Sequence, residues 1–134
     1  MGQSSTPSKN QHIVHWVAVV LLFLMMAQPT FDNVRALMNG AFVMGETTIE
    51  VTFAEMALHI VAMVVGWLGL FWFLKRKKRG AYASIAAHLL GFTAVLTQTP
   101  EMLDLMPKAM IAVFFVVLFA ATLGPLFAFK DAYS

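Results

Sequence analysis

The sequence predicts an all-α integral membrane protein: four transmembrane helices, both termini cytoplasmic, and a short interfacial helix between helices 1 and 2. Three observations carry this reading. Of 134 residues, 60% are hydrophobic and only 12% charged, about half the charge of an average soluble domain. Apolar runs long enough for a ~30 Å hydrocarbon layer fall at 12–28, 53–74, 81–98 and 108–129. The charges are also segregated by the connections between those runs. One side takes Lys9, Lys75, Arg76, Lys77, Lys78, Arg79 and Lys130 against Asp131, a net +6. The other takes Arg35 and Lys108 against Asp32, Glu46, Glu50, Glu55, Glu101 and Asp104, a net −4. The positive-inside bias makes the first side cytoplasmic. With so few residues between the runs, residues 1–134 form one transmembrane domain.

Met1–Gln11 is polar and rich in Ser and Thr, and a flexible tail is expected. Gly2 with Thr6 fits the N-myristoylation pattern, although one acyl chain adds little to a protein that already spans the bilayer. The first span, His12–Gln28, ends at Pro29. Thr30 or Asp32 is then expected to cap the interfacial helix, which Gly40 stops. Phe31, Val34, Leu37 and Met38 form its apolar face, and Gly45–Val51 is expected to be extended.

Thr52-Phe53-Ala54-Glu55 is a capping-box pattern at the start of the second span. That span runs 22 residues, roughly 33 Å, and five consecutive cations from Lys75 to Arg79 stop it. Thr99-Pro100 closes the third span and leads into a short surface turn. Pro107 suits the first turn of the fourth, and Gly124-Pro125 is a kink signal near its end.

The second span carries Glu55, His59, Ala62, Gly66, Gly69 and Phe73 at spacings of three and four; the third carries Gly80, Ser84, Ala87, Gly91, Ala94 and Gln98 likewise. Small residues let helix backbones approach in lipid. The second and third spans are therefore expected to pack on these stripes as an antiparallel hairpin. The fourth, with Phe114, Phe115, Phe119, Phe127 and Phe129, is expected to face lipid or a partner.

Ionisable groups inside a membrane are costly and point to function. Here they are His59 and His88, with His15 nearer an end. Four readings compete. The first is axial ligation of haem b or another tetrapyrrole. The depths of His59 and His88 differ by roughly 8 Å, against a paired site, and those of His15 and His88 by roughly 6 Å. The second is Cu(I) held by Met56, His59 and Met63. The third is proton or quinone chemistry on Glu55 and His59, spaced i, i+4. The fourth is structural hydrogen bonding, for which Ser84 stands one turn before His88.

The segment Ala57–Phe71, ALHIVAMVVGWLGLF, resembles one helix of the copper-resistance membrane protein family and of the membrane protoporphyrinogen oxidase family. The resemblance covers one helix of four and implies that His59 ligates haem or a metal.

There is no cysteine, so thiolate sites and disulfides are excluded. No phosphate loop, nucleophile motif or nucleic-acid motif is visible. The expected function is a non-catalytic accessory subunit of a larger membrane complex, respiratory or photosynthetic, in a prokaryotic cytoplasmic membrane, with lipid and other subunits as partners. A cofactor-bearing redox subunit or quinone site is the first alternative. A small homo-oligomeric transporter or channel is the second.

Overall fold

The computed structural model describes residues 9–134; the Gly2 pattern lies outside the described residues. The elements are α1 (Lys9–Asn39), β1 (Ala41–Met44), β2 (Thr47–Glu50), α2 (Phe53–Leu74), α3 (Lys78–Gln98), α4 (Glu101–Leu105) and α5 (Lys108–Ala128). A single 3₁₀ turn, Lys130–Ala132, follows. Among the described residues, α1, α2, α3 and α5 are long and apolar enough to cross a membrane.

The largest departure from expectation is in α1. Pro29 does not end it: the helix runs 31 residues, about 46 Å, with the proline inside. The expected interfacial helix is its last third rather than a separate element. Proline removes one backbone donor, but membrane helices tolerate that where neighbours supply other contacts. Neither Thr30 nor Asp32 is a cap. Thr30 Oγ1 accepts a hydrogen bond from Trp67 Nε1 at 2.9 Å, and the Asp32 carboxylate accepts from Gln28 Nε2 at 3.2 Å. Gly40, at φ +70°, ends the helix, its N–H donating to the Ala36 carbonyl at 2.7 Å. That left-handed backbone favours glycine.

β1 and β2 form an antiparallel hairpin with Met44 opposite Thr47. The two-residue loop begins with Gly45 at φ +62°, as a tight hairpin with glycine first requires. Phe42 and Ile49 fold inward onto Ala36 and Met56. At the start of α2 the capping box is closed: Glu55 N–H donates to Thr52 Oγ1 at 3.2 Å, and Thr52 N–H donates to Glu55 Oε1 at 3.1 Å. Thr52→Ala should cost about 1 kcal/mol, read as a lower midpoint in reversible unfolding; an unchanged midpoint would mean the cap is idle.

α2 and α3 make the tightest helix pair, through glycine. A Cβ on Gly69 would stand 2.7 Å from Ser84 N, and one on Gly80 would overlap the Phe73 backbone. A Cβ on Gly66 would overlap the Met26 side chain, whereas one on Gly91 would meet Ala62 Cβ at 3.9 Å. The two helices are thus closest near their connecting turn and leave more room towards Gly91.

At that turn lies the main core. Leu22, Leu70, Phe73, Ala81, Leu118, Leu126 and Tyr133 pack together, drawn from α1, α2, α3, α5 and the tail. Arg76, at φ 58°, turns the chain. The Ser134 N–H donates to the Arg76 carbonyl at 2.9 Å, and the Lys78 N–H donates to the Ser134 carbonyl at 2.8 Å. Arg76 Nη2 also donates to His12 Nδ1 at 3.2 Å. The start of α1, the α2–α3 turn and the tail therefore share one end of the bundle, the basic one. The hairpin and α4 occupy the acidic end.

α5 continues through Pro125 to Ala128. Its Phe119 and Phe127 face outward with Met110, Val113 and Val116. Phe114 and Phe115 turn inward instead: Phe114 packs on His88 and Phe115 on Phe92. The expectation that the fourth span faces lipid or a partner therefore holds for one side of it, and Phe114 and Phe115 belong to the other. A helix touching two neighbours must turn part of every apolar face inward, and composition does not say which part.

Candidate functional site

The looser, acidic half of the bundle holds a partly open cavity of about 280 Å³. Small-molecule sites usually run from roughly 300 to 1,000 Å³, so this one suits a small occupant. Met26, Pro29 and Asn33 line it from α1, His59, Ala62 and Met63 from α2, and Ala87, His88, Gly91, Phe92 and Val95 from α3. Phe42 and Met44 of β1, Met102 of α4 and Met106 just after it close it at the acidic end, and α5 contributes no lining residue. The polar groups in this apolar wall are few: Gln28 and Asp32, bonded to each other, with Asn33, His59 and His88.

The two histidines from the second and third spans thus reach one cavity, though in different chemical states. His59 is buried, and its Nε2 is hydrogen-bonded to the buried Thr99 Oγ1 at 3.3 Å. His88 Nδ1 lies 2.8 Å from the Ser84 carbonyl. A carbonyl only accepts, so Nδ1 carries the proton and Nε2 of the neutral ring is a bare acceptor. That Nε2 is buried and has no hydrogen-bond partner among the described residues. His88 lies against the Met25 backbone carbonyl without closing a hydrogen bond to it. Pro29, four residues on, has no N–H to give that carbonyl. A buried unpaired acceptor costs about 1–3 kcal/mol. His88 is ten residues from either end of α3, about 15 Å along the axis.

His15 is not part of this site. It is buried at the basic end, with its Nδ1 2.7 Å from Tyr133 Oη and its ring stacked on Phe73 at 5.3 Å between centroids. His15 and His88 are thus not brought together in this structure. Helix depth allowed that pair, but the two rings turn to different neighbours.

Glu55 does not serve His59. Its carboxylate accepts from both the N–H and the hydroxyl of Thr52, while His59 turns to Thr99. The two side chains of this i, i+4 pair thus turn to different partners. Of the copper trio, His59 and Met63 line the cavity, and Met56 packs on Phe42, which lines it too, and on Ile49. No cluster of three His, Asp or Glu able to hold a metal occurs among the described residues. For a tetrapyrrole, His88 offers one free axial nitrogen, whereas His59 Nε2 is bonded to Thr99, so a site paired between these two histidines would first have to break that bond.

The chain matches no known protein family, no curated protein and no solved structure. Asn33, Phe42, Phe92, Val95, Met102 and Met106 complete the site without having been singled out from sequence. The overlooked signal was Pro29: inside a continuous helix it marks an unpaired carbonyl four residues earlier.

Proposed function

We propose that this chain is an integral membrane protein of four spanning helices, serving as a non-catalytic subunit of a larger complex in a prokaryotic cytoplasmic membrane, of the respiratory or photosynthetic kind. One observation carries the reading. Large apolar side chains face outward along all four long helices, including Trp16, Phe23, Leu24, Val64, Phe71, Leu89, Val113 and Val116, while the segments between the helices are one hairpin, one short helix and turns. Such a surface fits lipid and other membrane subunits. The gathering of Lys75–Arg79, Lys130 and the start of α1 at one end supports a cytoplasmic basic end.

Two measurements test this. Reporter fusions at the two termini should behave as cytoplasmic and one inserted at Gly45-Glu46 as external; the reverse pattern would overturn the orientation. Mild-detergent purification from the native membrane should bring down stoichiometric partner subunits. A lone, stable chain that performs a reaction by itself would sink the subunit reading. Substrate-dependent flux in liposomes would favour transport instead.

A second reading, a subunit that holds a lipid-soluble ligand, is favoured by one further observation, the unpaired Nε2 of His88.

A further inference from the structure

We propose that the cavity between α1, α2 and α3 binds a small lipid-soluble molecule through a hydroxyl group that donates a hydrogen bond to Nε2 of His88. The proposal deepens the second reading above and rests on the membrane placement of the four helices.

The argument begins with the imidazole. Its Nδ1 hydrogen is used by the Ser84 carbonyl at 2.8 Å. Its Nε2 therefore carries an unpaired lone pair with less than 1 Å² exposed, so a ligand hydroxyl reaches it as the adaptable methionine side chains lining the cavity give way. On α1 the Met25 carbonyl faces the ring; it is also an acceptor, and Pro29 deprives it of its helical donor. Two acceptors side by side cannot satisfy each other. What completes this arrangement must bring a donor from outside the chain, and an ether, ketone or ester would leave it as it is.

The surroundings define the rest of the molecule. At about 280 Å³ the cavity has the volume of roughly nine waters, enough for a single ring with a short substituent. Its walls are mostly thioethers and rings, with one branched aliphatic: Met26, Met63, Phe92 and Val95, with Phe42 and Met102 towards the acidic end. Met side chains adapt to a flat apolar body and make favourable contacts with aromatic edges. No lysine or arginine lines the cavity, and the carboxylate there, Asp32, repels anions, so a fatty-acid carboxylate is disfavoured. His88 stands near mid-span, so the ligand arrives through lipid. A neutral hydroxylated ring, of the phenol or hydroquinone class, meets all these conditions.

The test uses the full chain in lipid nanodiscs, with empty nanodiscs to subtract partitioning. The probes are p-butylphenol and p-butylanisole, which share the ring, oxygen and tail but differ in the donor. The phenol should bind about ten-fold tighter than the ether, the worth of one such hydrogen bond. It should also shift the nitrogen NMR resonance of isotope-labelled His88 Nε2. His88→Leu should erase the preference. His88→Gln, which places a carbonyl oxygen near the Nε2 position, should keep it. Equal binding of the two probes, no binding above empty nanodiscs, or a preference that survives His88→Leu would each overturn the proposal; the second of these would mean that water alone occupies the site. If His88→Leu fails to fold, the phenol-to-ether ratio and the Nε2 shift in the native chain decide. The topology fusions separate the two failures: an external hairpin with no phenol preference rejects the site alone, and a cytoplasmic hairpin rejects the orientation on which the approach through lipid is argued.

Discussion

Gly80→Ala should cost this fold more than any other single methyl group added to it. A Cβ there would overlap the backbone of Phe73 and stand 2.7 Å from the Gly69 carbonyl. Those atoms are main chain of a packed helix, so no side-chain rotation relieves the overlap. The two helices would have to part at the point where they are closest. Overpacking a core usually costs about 1–3 kcal/mol, with larger values where backbone must move; at least 3 kcal/mol is expected here. Gly124→Ala supplies the control. Nothing lies within 4 Å of its added Cβ, so the helix should gain roughly 0.5–1 kcal/mol from lower chain entropy. Unfolding midpoints in detergent measure both. Equal effects at the two glycines would show that the α2–α3 contact is looser than described.

Tyr133 should be the second most sensitive position. Its ring packs on Phe73 at 5.5 Å and lies under the Arg76 guanidinium at 5.9 Å, within cation–π range. Its hydroxyl pairs with His15 Nδ1 at 2.7 Å. Tyr133→Ala removes ring and hydroxyl together and should cost about 3–5 kcal/mol, as for other buried aromatics. Tyr133→Phe keeps the ring but strands the buried imidazole nitrogen, at about 1–3 kcal/mol. Adding His15→Phe removes the stranded group and should restore part of the loss; a double variant no better than the single would refute the pairing.

There is also a pH signature. Burial raises the Tyr133 pKa above its ordinary 10.0, with Arg76 opposing that rise in part. The folded chain therefore keeps the phenolic proton to higher pH than the unfolded chain does. Its contribution is complete below pH 10 and is lost as pH climbs through the raised value. Tyr133→Phe should flatten the alkaline fall in stability, and an unaltered alkaline limb would count against this assignment.

The chain's long apolar runs made the helices legible. α2 occupies Phe53–Leu74 and α5 Lys108–Ala128, bounded by a capping box and by Pro107, both of which act locally. α1 was not legible in the same way. Proline is read as a stop because it withholds a hydrogen bond, and whether a neighbouring helix makes that tolerable is a tertiary matter. The candidate site divides similarly. His59 and His88 stood out because a titratable group in an apolar run is rare. Ser84, one turn before His88, was readable as its neighbour, and its carbonyl takes that place; Thr99 could not be chosen for His59 without the packing. Tyr133 gave no signal at all, since it lies in a short polar stretch beyond the last apolar run; it is buried here because the turn after α5 folds back over Phe73.

The hydrogen bond between His15 and Tyr133 joins residues 118 positions apart. At synthesis rates of roughly 5–20 residues per second, about 6–24 s separate the making of its two halves. The α2–α3 pair, local in sequence and tightest in contact, can form during that interval. The core at the basic end cannot, because it needs α1, α5 and the tail together. Until α5 and Tyr133 have been made, α1 is therefore held by α2 and the hairpin, through contacts such as the Trp67–Thr30 hydrogen bond, while His15 still lacks its tyrosine partner.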